Sequence, residues 1–270
     1  MSSHDKTTEH PTTIIVAAEN GDLKVLAQSL AVTVQTDEAA PRPVAIVTGA
    51  TGGMGTEIVA ALATDHLVVA LGRDREKLET LVNRHPGHVV GVVVDLVAEL
   101  DSPAFFTAIA QAVPKVAVVV HAAAIAQRFS VDSAEVSDWR SHMDINVVAP
   151  AELTRVLLPA LRKAEGTVVF INSGAGRNGY GDNVIYAATK HALYALADSL
   201  RKAERDVRVS TVAPGPTDTP MLAGLQDYDP SHVIAPVEVA RAVRAVIDAG
   251  PSTQLTEVQV RPRIELDQRA

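Results

Sequence analysis

The feature that most constrains the fold is an alternation, from residue 44 onward, of short valine- and isoleucine-rich runs with longer amphipathic stretches. The seven short runs are Val44–Thr48, Leu67–Leu71, Val89–Val94, Val116–Val120, Thr167–Ile171, Val207–Val212 and Leu255–Val260. Such runs are typical of strands buried on both faces of a sheet. Between most of them, apolar residues recur every three or four positions, as in Asp74–Arg84, Asp101–Val113, Val136–Lys163, Ile185–Arg205 and Val237–Ala249. This alternation predicts an α/β fold, with a doubly wound parallel seven-stranded sheet and helices on both faces.

Composition excludes several classes of function. The chain has 270 residues, which suits one large domain or at most two small ones. It has no cysteine, so disulfides, Cys-ligated zinc and thiol nucleophiles are excluded, and we expect no metal site. The 32 acidic and 24 basic residues offer no overall basic surface for nucleic acid. No apolar run is long enough for a membrane helix, and no signal peptide is recognisable at the start, so we expect a cytoplasmic protein.

Residues 1–43 differ in composition from the rest and end in a proline-rich link. The Asn20-Gly21 pair between Ile14–Val16 and Leu23–Leu26 is typical of a hairpin turn, so the segment is either a small hairpin or a tail. We assign it no chemistry. The main domain is predicted to span residues 44–270.

A glycine-rich turn follows the first predicted strand. Thr48-Gly49-Ala50-Thr51-Gly52-Gly53-Met54-Gly55 leads directly into a helical pattern. Glycines in this position allow the backbone to approach a phosphate closely, and the helix N-terminus supplies free N–H groups. The turn therefore predicts a site for the pyrophosphate of a dinucleotide.

The end of the second strand bears on which dinucleotide is bound. An acidic residue there would bind the ribose 2′-hydroxyl of NAD, whereas an arginine would favour the 2′-phosphate of NADP. Arg73 lies 24 residues after Gly49, close to the expected distance. We therefore favour NADP(H). NAD(H) stays open, because Asp74 would take the acidic role if the register slipped by one residue.

Three polar side chains suggest acid–base chemistry. Ser173 follows the fifth strand, at the edge where open α/β sheets bind their ligands. Tyr186 and Lys190 are four residues apart, so they share one face of a helix. A nearby ammonium favours the phenolate and should lower the pKa of the tyrosine. The tyrosine could then exchange a proton with an alcohol or a carbonyl.

Taken together, these motifs resemble the short-chain dehydrogenase/reductase family, in its compact single-domain branch. Thr48-Gly49-x-x-x-Gly53-x-Gly55 matches the cofactor turn of that family, and Asp95 matches its adenine-contacting aspartate. Asn146 matches its helix asparagine, while Pro214-Gly215 and Thr219 match its segment beside the nicotinamide. The resemblance runs from about Val44 to Arg263 and implies a Rossmann fold.

The resemblance also implies a site and a mechanism. The catalytic residues would be Asn146, Ser173, Tyr186 and Lys190. The cofactor-binding residues would be Gly49, Thr51, Gly53, Met54, Gly55, Arg73, Asp95, Leu96, Ala122, Ala123, Tyr186, Lys190, Pro214, Gly215, Thr217 and Thr219. Ser173 would orient the substrate oxygen, Tyr186 would pass the proton, and Lys190 would lower the tyrosine pKa and bind the nicotinamide ribose. Asn146 would hold a water that links Lys190 to solvent.

The sequence departs from the family pattern at two places. His121-Ala122-Ala123-Ala124 stands where the family usually has Asn-Asn-Ala-Gly. His121 either supplies one of the missing hydrogen bonds or is a strand-end histidine satisfied by backbone. Gly49, Gly52 and Gly55 also fit the glycine spacing of the longer branch, the sugar-nucleotide epimerases and dehydratases. Only 51 residues follow Thr219, too few for the extra substrate domain of that branch.

The substrate side is less defined. Pro220–Ala235 is expected to form a small lid, with Met221 and Leu222 suggesting an apolar or mixed substrate. Further polar residues that could line the pocket are Gln127, Arg128, Arg177 and Asn178.

These expectations favour an NADP(H)-dependent oxidoreductase that interconverts a ketone or aldehyde with an alcohol. The alternatives are an NAD-dependent alcohol dehydrogenase of the same fold and a non-catalytic NAD(P)-binding sensor or scaffold. By resemblance, Val136–Lys163 and Ile185–Arg205 would pair between subunits, giving a homodimer or homotetramer. The sequence identifies neither the substrate nor the physiological direction.

Overall fold

The fold is described from a computed structural model, which describes residues 14–16, 28, 30–31, 42–102 and 104–264. The strands are β1 (Ile14–Val16), β2 (Val44–Thr48), β3 (Leu67–Gly72), β4 (Val89–Val93), β5 (Val118–His121), β6 (Thr167–Ile171), β7 (Arg208–Pro214) and β8 (Glu257–Val260). The helices are α1 (Gly53–Leu62), α2 (Arg75–Arg84), α3 (Ala104–Ala112), α4 (Val136–Met143), α5 (Ala149–Ala164), α6 (Val184–Ala203), α7 (Pro220–Ala223) and α8 (Pro236–Ile247).

All strands belong to one parallel sheet. Its order is β1-β4-β3-β2-β5-β6-β7-β8, so β2 and β5 are neighbours and the chain winds outward from them in both directions. This order confirms the predicted doubly wound sheet. It also places the carboxyl ends of β2, β5 and β6 side by side, where ligands bind in such folds.

The sheet contains one strand more than the seven predicted. The additional strand is β1, Ile14–Val16, which was one arm of the suggested hairpin. It pairs in parallel with Gly91–Val93 at the outer edge of β4. Leu30 is completely buried in the core. The other proposed arm, Leu23–Leu26, lies outside the described residues, and the domain boundary at residue 43 stays a prediction.

Apolar side chains alternate between the two faces of the sheet, as strands buried on both sides require. In β2, Ile46 packs with α3, α5 and α6, including Phe105 and Leu153. Val47 packs on the other face with α1, α2 and α8, including Ile58. These two cores fix the strand ends and therefore the position of the site. No helix in the described ranges is long and apolar enough to cross a membrane.

The predicted helix Val136–Lys163 is interrupted. A π turn spanning Asp144–Val148 separates α4 from α5, and Ala149 N–H donates to the Asp144 carbonyl five residues back. Pro150 has no N–H group, so the Asn146 carbonyl cannot receive the usual bond from four residues ahead. The proline thus explains why the regular helical pattern breaks next to Asn146.

Candidate dinucleotide and catalytic site

The turn between β2 and α1 can be built only with glycine at two positions. Gly49 has a φ of +62°, and a Cβ there would lie 2.7 Å from the Ala123 backbone. A Cβ on Gly55 would lie 2.1 Å from the Gly49 carbonyl oxygen. Both neighbours are backbone atoms and cannot rotate away. The glycines therefore allow α1 to begin directly above the end of β2, as the sequence predicted.

A cavity of about 950 Å³ opens above this turn. Eleven of the predicted cofactor-binding residues line it: Gly49, Thr51, Gly53, Met54, Gly55, Arg73, Asp95, Leu96, Ala122, Ala123 and Thr219. The other five, Pro214, Gly215, Thr217, Tyr186 and Lys190, lie outside its lining.

Sequence reasoning missed part of the cavity wall. Ser141 and Ile145 line it from the region where α4 enters the π turn, and Ala124 and Ile125 continue the loop after β5. Lys77 also lines it, as do Leu71, Gly72, Val94 and Val97 at or just after the ends of β3 and β4, whereas Met221 belongs to the segment already expected to form a lid. The four-residue spacing of Ser141 and Ile145 places both on one face of a helix, and this signal could have identified them.

Charged residues at one end of the cavity are arranged around the end of β3. The Arg73 guanidinium is 73% exposed and lies 3.7 Å from the Asp95 carboxylate. Asp74 instead caps α2, accepting from the Lys77 N–H at 3.1 Å and pairing with the Lys77 ammonium at 3.2 Å. The hydrogen bond from the Lys77 backbone lowers the pKa of Asp74. The Asp74 carboxylate is therefore engaged with its own helix.

The loop after β5 is held at both ends by side chains. The Thr48 hydroxyl accepts from the N–H groups of Ala122 and Ala123, each at 3.1 Å. The Asn146 amide accepts from Ile125 N–H at 2.9 Å and donates to its carbonyl at 3.0 Å. It also donates to the Thr189 hydroxyl on α6 at 3.0 Å. The Asn146 side chain therefore ties the cavity wall to α6, and its predicted role in holding a water stays a prediction.

His121 faces the core. Its Nε2 lies 2.8 Å from the Thr154 hydroxyl, and its ring stacks on Phe170 at a centroid distance of 4.9 Å. Burial lowers the pKa of His121 to about 3, which keeps the ring neutral. The His121 side chain therefore supplies none of the missing hydrogen bonds, and its partner is a helix hydroxyl rather than the backbone.

The structure brings the three predicted acid–base residues together. Ser173 follows β6, and its hydroxyl lies close enough to the phenol of Tyr186, in the first turn of α6, to act on the pKa of that group. The same hydroxyl accepts from the Ala175 N–H at 3.1 Å. Lys190 is 3% exposed, and its ammonium donates to the Ile171 carbonyl at 2.9 Å. The ammonium lies 5.5 Å from the centroid of the Tyr186 ring. The cluster is built by one strand end and one helix face.

The expected lowering of the tyrosine pKa is not found. Burial raises the pKa of Tyr186 to about 12, and the hydrogen bond from Ser173 offsets this only in part. Burial also lowers the pKa of Lys190 to about 8. Desolvation is the largest cause of both shifts, because burial disfavours the charged form of each group. At neutral pH the phenol keeps its proton and can donate it.

Three loops meet beside this cluster. Arg128, from the loop after β5, donates to Asp182, to the Leu225 carbonyl at 3.2 Å and to the Gln226 side chain at 2.7 Å. It thereby joins the predicted lid to the loop after β6. Arg177 is engaged elsewhere, donating to Glu257 at 2.9 Å. Both arginines, considered as pocket residues from the sequence, thus have acidic partners within the protein. Asn178 donates to the Gly174 carbonyl at 3.1 Å.

Comparison with known proteins supports one family. Residues 43–229 match the family described as short chain dehydrogenase. "Dehydrogenase/reductase SDR family member 11" of Gallus gallus is 30% identical over 81% of this chain and 95% of the relative.

Solved structures agree with the sequence matches. A Corynebacterium glutamicum chain described as a short-chain dehydrogenase/reductase is 45% identical, with a TM-score of 0.64 over 82% of this chain and all of the other. A metagenomic short-chain oxidoreductase solved in complex with NADP is 29% identical, with a TM-score of 0.70 over 82% of this chain and 97% of the other.

Proposed function

The chain belongs to the short-chain dehydrogenase/reductase family, and on that premise we propose that it is an NADP(H)-dependent oxidoreductase interconverting a ketone or aldehyde with an alcohol. The observation that carries this proposal is the cluster of Ser173, Tyr186 and Lys190, which α6 and the end of β6 bring together. A protein that only binds a nucleotide would not need a half-buried phenol and hydroxyl next to a buried amine.

The residues at the glycine turn suit a nicotinamide dinucleotide. Gly49 and Gly55 let the turn pack closely against neighbouring backbone, and the N-terminus of α1, which has no side-chain cap, offers N–H groups to a pyrophosphate. Arg73 and Asp95 would hold the adenosine end, and Thr219 would contact the other end. When bound, the nicotinamide supplies or accepts the hydride.

The chain's own groups would manage the proton. In reduction, the Tyr186 O–H donates its proton to the substrate oxygen and becomes a phenolate, and in oxidation the phenolate takes that proton back. Ser173 donates a hydrogen bond to the same oxygen and orients it. The Lys190 ammonium stabilises the phenolate that forms. Burial raises the pKa of Tyr186, so at neutral pH the phenol carries the proton that reduction requires.

The preference for NADP(H) predicts a selective effect at Arg73. Replacing Arg73 with Ala should raise the Kd for NADPH about tenfold, since an exposed charge-assisted hydrogen bond to phosphate is lost. The Kd for NADH should change less than about threefold, because NADH lacks the 2′-phosphate. Nicotinamide fluorescence titrations measure both constants.

Arg75→Ala is the matched control for this comparison. Arg75 is two residues away, and its guanidinium pairs with Glu79 at 2.9 Å on the surface of α2. It should leave both constants unchanged. Tighter binding of NADH than NADPH by the unmodified protein would instead support an NAD-dependent enzyme, with Asp74 in the acidic role.

The activity itself is tested with a panel of aldehydes and ketones and NADPH, followed by loss of the nicotinamide absorbance. Turnover of at least one carbonyl compound supports the proposal. Tight NADPH binding without turnover across the panel would support a sensor or scaffold, and no binding of NADPH or NADH would contradict both.

We also propose that the enzyme forms a homodimer or homotetramer through α4, α5 and α6. Val136 and Val148 support this, because these apolar side chains are 66% and 41% exposed. Sedimentation at micromolar concentration should give two or four times the mass of 28.5 kDa. A single species of 28.5 kDa would contradict it. The cytoplasmic location expected from the sequence stays a prediction.

A further inference from the structure

Asn172 is a buried polar residue in the catalytic cluster that sequence reasoning did not select. It lies between the end of β6 and Ser173 and is 2% exposed. Its backbone N–H donates to the Val212 carbonyl on β7 at 2.7 Å, which extends the sheet pairing by one residue. The position of the residue is therefore set by the sheet, and its carboxamide is free to act on neighbouring segments.

The two ends of the carboxamide contact different parts of the site. The Oδ1 atom accepts a hydrogen bond from the Ser173 N–H at 2.8 Å. The Nδ2 group donates to the Lys190 carbonyl on α6 at 3.2 Å. One planar group thus joins the backbone of the proposed substrate-orienting serine to the backbone of the proposed catalytic lysine.

The turn after Ser173 closes over this amide. Gly176 N–H donates to the Ser173 carbonyl at 3.0 Å, which folds the chain back toward β6. A Cβ on Gly176 would lie 2.7 Å from the Asn172 Oδ1 and 2.6 Å from the Tyr194 ring. The short turn that carries Ser173 is therefore packed directly on the Asn172 side chain.

Ser173 and Lys190 come from different elements, and no strand pairing joins the loop after β6 to α6. The Lys190 ammonium donates to the Ile171 carbonyl, and the Asn172 amide donates to the Lys190 carbonyl. Residues 171 and 172 therefore hold both the side chain and the backbone of Lys190. We propose that Asn172 is a positioning residue, which fixes the Ser173 hydroxyl relative to Tyr186 and Lys190. This inference rests on the proposed function.

The two polar ends of the side chain explain why asparagine suits this position. Aspartate has the same shape but would place a second oxygen against the Lys190 carbonyl, so the two acceptors would repel. Serine lacks the length to reach Lys190 from the same backbone position. Asn172→Asp therefore removes only the contact with Lys190, whereas Asn172→Ser removes the contacts with both Lys190 and Ser173.

The kinetic experiment uses the full chain, NADPH and the best carbonyl substrate of the panel. Asn172→Asp and Asn172→Ser should lower kcat about 10- to 100-fold, as expected when reacting groups are displaced by a fraction of an ångström to 1 Å. The KM should change less than about threefold. Asn83→Asp, an equivalent substitution at an exposed position on α2, is the control and should keep kcat within about twofold.

A deuterium isotope effect distinguishes positioning from a simple loss of folded enzyme. With NADPH deuterated at the transferred C4 hydrogen, the isotope effect on kcat should rise in both Asn172 variants, because hydride transfer becomes slower. The NADPH-binding stoichiometry reports the fraction of protein that is folded. If the isotope effect is unchanged and kcat falls only as much as this fraction does, the proposal is wrong. A kcat within twofold of the unmodified enzyme would also overturn it.

A crystal structure of Asn172→Asp gives a test that does not depend on activity, and Asn172→Ser replaces it should the aspartate variant not fold. The Ser173 hydroxyl should move away from the Tyr186 phenol, or the contact from Lys190 to Ile171 should be broken. If both contacts persist, the positioning role is wrong. If the unmodified protein reduces no carbonyl compound, the proposed function fails, while this arm still decides whether Asn172 positions the cluster.

Discussion

Replacing Tyr186 with Phe should lower kcat for carbonyl reduction by about 10²–10⁴-fold, the usual contribution of one general acid. The substitution removes a single oxygen, the one proposed to pass the proton, whose pKa burial raises and the neighbouring Ser173 partly lowers. The Kd for NADPH should change less than about threefold, because Tyr186 does not line the cavity above the glycine turn. Steady-state kinetics and fluorescence titration measure the two effects separately.

Tyr194→Phe is a matched control on the same helix. Tyr194 is also buried, and its hydroxyl donates to Glu257 at 2.9 Å, away from Ser173. Losing this hydrogen bond should cost about 1 kcal/mol of stability, with kcat kept within about twofold. Turnover of Tyr186→Phe within tenfold of the unmodified enzyme would rule out the phenol as the proton donor.

The second large effect is expected at the glycine turn. A Cβ on Gly55 would lie 2.1 Å from the Gly49 carbonyl oxygen, so Gly55→Ala must push α1 away from the end of β2. We expect a loss of about 3 kcal/mol, at the upper end of ordinary overpacking costs. If the whole of this loss, about 3 kcal/mol, comes from the free energy of NADPH binding rather than from that of folding, NADPH should bind roughly 100-fold more weakly. Thermal unfolding and fluorescence titration will show how the loss divides between folding and binding.

Gly179→Ala and Gly181→Ala are the controls for this prediction. A Cβ at either position would meet nothing within 4 Å. Both variants should keep the melting temperature and the Kd for NADPH of the unmodified protein. If Gly55→Ala behaved like these two, the close packing of the turn would not be required for cofactor binding.

The parts of the fold that depend on local pattern could be predicted from the sequence. Strands such as Val44–Thr48 and Thr167–Ile171 have their predicted bounds, because each is a buried run with polar or glycine residues beside it. The spacing of Tyr186 and Lys190 predicted their shared helix face. The alternation of strand-like and helix-like stretches predicted a parallel sheet with helices on both faces.

The remaining features depend on contacts between distant segments. No local pattern gives the parallel pairing of Ile14–Val16 with β4, nor the contact of Asn172 with a carbonyl eighteen residues away. The raised pKa of Tyr186 depends on how many groups bury the phenol, whereas the sequence offers only the nearby ammonium. The π turn was missed although Pro150 is visible in the sequence, because a proline in this position can also simply end a helix.

The pairing of β1 with β4 limits how copies of this chain can assemble. An unpaired outer strand offers a row of N–H and C=O groups on which a second molecule can add its own strand. Here Ile14–Val16 already occupies that side of β4 along the residues Gly91–Val93. A second molecule could pair directly with β4 only after Ile14–Val16 is released, and the outer edge then left at β1 is three residues long. So short an edge offers few hydrogen bonds, which favours self-association through the helical faces or at the opposite margin, β8.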